Sequence, residues 1–230
     1  MKLVINQKLI KRNKTIGNIA TIAGIAILGV GLVLNINPTP QKTLFSFGAL
    51  IVGFIVSQVS TYFVTRFART PRFDEVISEN LEKLSNDYTF YVYSAPVPML
   101  LVGPGGCWIP VPVYASGELY YDKRWKQRGG GFLMKLFGQE NIGRPELDVQ
   151  ANSKEIHKTL NEHLDEEEIP EIQGILVSLH PKATIGNTED APSPIVEVDA
   201  LRRTIRKHDR KKEDLPDETL QEINQILGGD

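Results

Sequence analysis

The first 72 residues of this 230-residue chain contain no aspartate or glutamate. They hold Lys2, Lys8, Lys11, Arg12, Lys14, Lys42, Arg66, Arg69 and Arg72, a charge of +9. All 28 acids lie beyond Arg72 with the other 17 bases, and that remainder carries −11. The total of −2 therefore joins two physically different objects. Cysteine is nearly as scarce. Cys107 stands alone, which excludes an intramolecular disulfide and a Cys-rich zinc module. Its apolar setting beside Trp108 suits a buried structural thiol rather than a nucleophile. His157, His163, His180 and His208 lack metal-ligand spacing. No Gly-Lys-Ser/Thr accompanies the glycines at 103–106, so no phosphate-cradling loop is read there. No metal and no cofactor is expected. A mean hydropathy of −0.17 excludes a mostly intramembrane transporter, and the composition excludes a disordered acidic chain or a collagen-like fibre.

What the basic part holds is apolar length. Residues 16–36 and 44–64 are each uncharged. About 20 residues cross a ~30 Å hydrocarbon core as a helix, so each run is read as a transmembrane helix. Residues 37–43 contain Pro38 and Pro40 and form the turn between them. A cleavable signal peptide has a shorter apolar region followed by a soluble chain; here a second apolar run follows at once. Lys8, Lys11, Arg12 and Lys14 precede the first span, Arg66, Arg69 and Arg72 follow the second, and the loop has only Lys42. Lys/Arg bias then predicts a multi-pass inner-membrane protein. The basic N-terminus (1–15) and the C-terminus are cytoplasmic and the loop is external. Ala49, Gly53, Ser57 and Thr61 place small residues four apart on the second span, a stripe for close helix packing. It serves either the hairpin's own two helices or a homo-oligomer.

The acidic part reads as a mixed α/β domain over 73–207. Apolar residues at 73, 76, 77, 81 and 84 have helical spacing. Strands follow at 88–95, 97–113 and 117–122, with Gly103-Pro104-Gly105-Gly106 as a tight turn. Pro110 and Pro112 predict an irregular or edge-like strand. Residues 123–146 read as loop, 148–164 as helix, 172–179 as a buried strand and 182–194 as a connector. Then come a strand at 195–198 and a helix at 199–212. Residues 208–230 are expected to be a charged tail with a short helix at 217–227.

The run LLVGPGGCWIPVPVYASGELYY resembles the nuclease-related domain family. That pattern has an apolar strand led by Ile-Asp, a Gly-Pro-x-Gly turn and a strand ending Glu-x-Lys. The resemblance implies a restriction-endonuclease-like fold, membrane spans in many relatives, and divalent-metal cleavage of nucleic acid in active members. Aligned on the Gly103–Gly106 turn, the family's Asp, Glu and Lys positions fall on Pro98, Val111 and Val113. None of these can ligate a metal or carry a proton. The resemblance thus implies a pseudoenzyme, a non-catalytic interaction or scaffold protein at the membrane. The alternatives are a divergent metal-dependent nuclease using Glu79, Glu82 or Glu118, and an accessory subunit of a membrane complex. The expected partners are the bilayer, possible further copies of the chain and an unidentified protein. The −11 charge argues against nucleic acid. Lys123, Arg124, Trp125, Lys126, Arg128 and Lys135, with the apolar residues near 132–137, are candidates for the membrane surface.

Overall fold

The computed structural model describes residues 1–130, 142–212 and 214–228. The chain divides into two compact units: Asn6–Arg72, and Met1–Ile5 together with Phe73–Asp230.

In Asn6–Arg72, helix α1 (Gln7–Leu34) runs antiparallel to α2 (Pro40–Phe63), and one π-helical turn (Val64–Ala68) follows. Asn6 caps α1 by accepting from the Leu9 amide at 3.0 Å; Thr39 does the same for α2, with Pro40 in the first turn. The cap starts α1 well before residue 16, because Lys and Arg are good helix formers. Both helices are long and apolar enough to cross a membrane. Their contact is a repeat of small residues seven apart. Gly17, Gly24 and Gly31 are buried on α1, and Ser46, Gly53 and Ser60 on α2. Such a repeat stays on one helix face with only ~20° of drift per seven residues, and small side chains let the backbones approach. The Ser46 hydroxyl donates to the Gly31 carbonyl at 2.7 Å, and the Thr21 and Ser60 hydroxyls lie 2.6 Å apart.

The second unit is a three-layer α/β structure. Its main sheet has the order β1–β2–β3–β4–β7–β9, from β1 (Lys2–Ile5), β2 (Thr89–Val92), β3 (Met99–Gly103), β4 (Gly106–Val113), β7 (Ile172–Ser178) and β9 (Ile195–Glu197). β2, β3 and β4 form an antiparallel meander; β1 joins β2, β7 joins β4 and β9 joins β7 in parallel. Period-two alternation sorts the side chains. Tyr91, Leu100, Val102, Ile109 and Leu176 face helices α4 (Pro145–Asn161) and α6 (Asp217–Ile226). Phe90, Leu101, Trp108, Ile175 and Val177 face α3 (Phe73–Leu81) and α5 (Val198–Asp209). Each fully buried Ile or Leu in these layers contributes about 1.5–3 kcal/mol. A smaller sheet, β6–β5–β8, is built from β5 (Gly117–Tyr121), β6 (Trp125–Arg128) and β8 (Ala183–Ile185).

Several sequence expectations need correction. Within the basic N-terminus (1–15), for which no strand is expected, residues 2–5 form strand β1, paired from Lys2 opposite Thr89 to Ile5 opposite Val92. Within the expected loop 123–146 lie β6 and the start of α4, and β8 lies in the expected connector. The C-terminal residues are not a free tail: Ile223 and Leu227 are buried in the core, and the Tyr91 hydroxyl donates to Asn224 Oδ1 at 2.7 Å. At Pro110 and Pro112 the edge-like expectation stands on one side: both sit beyond Trp108, the last β4 residue that β3 pairs, while both stay in register with β7.

Candidate functional site

The β3–β4 turn is built on glycine for steric reasons. Gly106 has φ +120°, and a Cβ there would lie 2.7 Å from the Glu171 carbonyl oxygen. Around this turn, the three positions that the family resemblance marks are apolar. Val111 and Val113 are 6% and 2% exposed and belong to the core layer. Pro98 is half-buried, and its carbonyl accepts from the Tyr93 amide at 2.9 Å. These side chains do not fit a divalent cation, which needs oxygen donors. Glu79 and Glu82 are exposed. Glu118 accepts from Arg128 at 3.2 Å. Among the described residues no group of three or more His, Cys, Asp or Glu is placed to hold a metal ion.

A buried polar knot lies behind the same turn. Asp209, at the end of α5, is 5% exposed. Tyr88 donates to its Oδ2 at 2.6 Å and Trp108 Nε1 to its Oδ1 at 3.2 Å. The His208 ring meets Trp108 edge-on, and its Nε2 lies 3.0 Å from Gln173 Nε2. With that amide donating, the ring proton sits on Nδ1, 3.6 Å from Asp209 Oδ1. A Cβ on Gly105 would strike Asp209. Beyond the knot Lys212 pairs with Glu171, and the Leu215 amide donates to the Pro104 carbonyl at 2.8 Å. The arrangement satisfies the carboxylate and ties the end of α5 to the turn. Its sequence signal was an acid on an apolar stripe: Leu201, Ile205 and Asp209 are four apart and all buried.

Of the basic stretch at 123–128, Trp125–Arg128 form strand β6, paired with β5, and Lys123 and Arg124 lie in the turn before it. Trp125 is 4% exposed and packs edge-on against Tyr121, so it is a core residue rather than a membrane-surface side chain. β-strand alternation turns it inward. Lys123, Arg124 and Arg128 are exposed, Lys126 is half-buried and pairs with Asp122, and Arg128 lies over the Tyr120 ring. Lys135 and the apolar residues near 132–137 lie outside the described residues. A cleft of about 620 Å³ opens beside this hairpin, lined by Arg124, Trp125, Lys126, Arg144 and Glu146 among others.

Cys107 is buried in the core, and burial pushes its thiol up to about 12. Where α1 meets α2, a Cβ on Gly31 would lie 3.3 Å from Ala49 Cβ, and one on Gly24 would lie 3.1 Å from Ser57 Oγ. Ala49, Gly53 and Ser57 therefore line the contact with α1. Thr61 is exposed and its hydroxyl bonds back to the Ser57 carbonyl. A four-residue step turns by about 40° beyond a full circle, so a long i, i+4 stripe leaves the face. No family model, no curated protein and no solved structure matches the chain.

Proposed function

We propose that the protein is a two-span membrane protein whose α/β unit works at the inner face as a non-catalytic interaction or scaffold module. The observation that carries this reading is the burial of Val111 and Val113 in the core layer, where the family resemblance would need a carboxylate and an amine. Support for a restriction-endonuclease-like unit comes from the order α3–β2–β3–β4–α4–β7, with an antiparallel meander and a parallel β4–β7 pair. Support for both termini being cytoplasmic comes from two sources. One is the Lys/Arg distribution. The other is β1: it precedes the hairpin yet pairs with β2, which follows it. A strand pair cannot form across a bilayer, so this pairing supports a hairpin that returns to the side it left, and the Lys/Arg distribution alone supports that side being the cytoplasm.

The test is purified full-length chain incubated with single- and double-stranded DNA and RNA in Mg²⁺ or Mn²⁺. No cleavage above a buffer control is expected. Cleavage that Glu79→Ala, Glu82→Ala or Glu118→Ala abolishes would overturn the reading. Topology is read by labelling a Thr39→Cys variant in intact cells with an impermeant maleimide. Buried Cys107 stays silent, so labelling at residue 39 is the expected result.

A further inference from the structure

We propose that the end of the hairpin carrying Lys11, Arg12, Lys14 and Arg66 is a docking surface for the phosphates of anionic phospholipids. The inference rests on the two-span membrane reading and adds to it which lipid lies beside the hairpin. Height along the two helices carries the argument. A Cβ on Gly17 would lie 3.0 Å from Phe63 Cβ and 3.2 Å from the Val64 amide nitrogen, so these residues of α1 and α2 stand level. The two uncharged runs are bounded at that height, by Ile16 and Val64. At about 1.5 Å per residue, Lys14 and Arg66 lie about 3 Å beyond the boundary, and Arg12 and Lys11 about 6–8 Å beyond it. The headgroup layer on one side of a bilayer is about 5–8 Å deep. All four bases fall within it, whereas Lys8, about 12 Å out, lies past it.

Orientation and charge make these bases a surface. Ile10 and Gly17 mark the buried face of α1, and Lys11 and Arg12 stand about 100° and 160° round the helix from Ile10. All four side chains are exposed. Arg66 is also held in place. Its guanidinium lies 4.5 Å from the centre of the Tyr62 ring, and one N–H donates to the Tyr62 hydroxyl at 3.2 Å. Tyr62 is one turn further into the apolar run, so this pair draws the guanidinium toward the boundary, where tyrosine is favoured. The planar guanidinium fork matches phosphate oxygens. No acid lies anywhere in Asn6–Arg72 to neutralise these bases, and the opposite end of the hairpin offers only Lys42. Four positive charges in one headgroup layer attract net negative charge. An anionic phospholipid supplies it; phosphatidylcholine, a zwitterion, does not.

The test reconstitutes the full-length chain in phosphatidylcholine bilayers with trace spin-labelled phosphatidylglycerol or phosphatidylcholine. Lipid held at the protein gives a motionally restricted electron paramagnetic resonance signal, and comparing the two labels gives a selectivity. A preference of at least about threefold for phosphatidylglycerol is expected at low salt, falling toward parity in about 1 M NaCl, where the Debye length is ~3 Å. Lys11→Gln, Arg12→Gln, Lys14→Gln and Arg66→Gln combined are expected to remove the preference, because Gln keeps the helix propensity but not the charge. Lys42→Gln is expected to keep it. The salt series on the unaltered chain decides the matter if the fourfold variant does not fold. Equal restricted signals from the two labels at low salt overturn the proposal and leave the membrane reading in place. So do a preference unmoved by salt, one that survives the fourfold variant, and one lost equally with Lys42→Gln. A chain that restricts neither label overturns the membrane reading as well.

Discussion

At the scale of single residues, Asp209 has the most to lose. Its carboxylate accepts from Tyr88 and Trp108 in a buried setting. Asp209→Ala should strand both donors and cost about 2–4 kcal/mol, against about 1 kcal/mol for Tyr88→Phe, which leaves Asp209 bonded to Trp108. Equilibrium denaturation of the full chain, followed by tryptophan fluorescence, measures both; equal effects would mean the knot is not cooperative. Buried thiol and phenol groups titrate late. Burial raises Cys107 from about 9 to about 12, and burial together with Cys107 raises Tyr91 from about 10 to about 12. Tyr88 is also raised, by burial and then by its bond to Asp209. Each folded value exceeds the unfolded one, so the stability they contribute is complete below pH ~8 and is lost as pH climbs toward 12. Melting temperature should therefore be level from neutrality to about pH 8 and then fall. Cys107→Ala should defer the start of that fall toward the tyrosines' range.

At the scale of elements, the hairpin's small-residue repeat sets how closely α1 and α2 approach. A Cβ on Gly53 would lie 2.7 Å from Leu28 Cδ2, whereas Gly48 has nothing within 4 Å. Gly53→Leu should force the helices apart and cost about 1–3 kcal/mol by overpacking, while Gly48→Leu should be close to neutral. Thermal unfolding in detergent distinguishes them. Cross-linking in membranes with Gly53→Leu asks a different question, whether copies of the chain associate through α2. The sequence pointed to this face with Ala49, Gly53, Ser57 and Thr61; Ala49, Gly53 and Ser57 do line it, Thr61 does not, and its buried centre runs along Ser46, Gly53 and Ser60. The two stripes share Gly53 and diverge because a helix turns 3.6 residues at a time.

At the scale of the whole molecule, β1 is the consequential element. It closes one edge of the sheet, its Val4 carbonyl accepts from the Ser94 hydroxyl at 2.8 Å, and Val4 packs against the core. Val4→Asp should undock β1 and expose β2. Amide exchange at Thr89–Val92 should then accelerate while α4 amides stay protected. Unchanged exchange in β2 would show that β1 adds nothing to the sheet's stability. Such an edge is a liability when bare, since its free amides template pairing with other chains.

Charge partition, two apolar runs, the alternating strands and the helix at 73 were legible in the sequence, because each depends on composition or on the period of a few neighbouring residues. That Pro98, Val111 and Val113 can neither ligate a metal nor carry a proton was equally plain from the residue types. That Val111 and Val113 pack into the core, that Trp125 turns inward to the core, and that residues 2–5 complete a sheet more than eighty residues later in the chain were not. Nor was the meeting of Asp209 with Tyr88 and Trp108. Local sequence sets which period a segment follows. Which side of a strand becomes interior, and which distant polar groups are left to find partners, is decided only when non-local strands pair and the layers close.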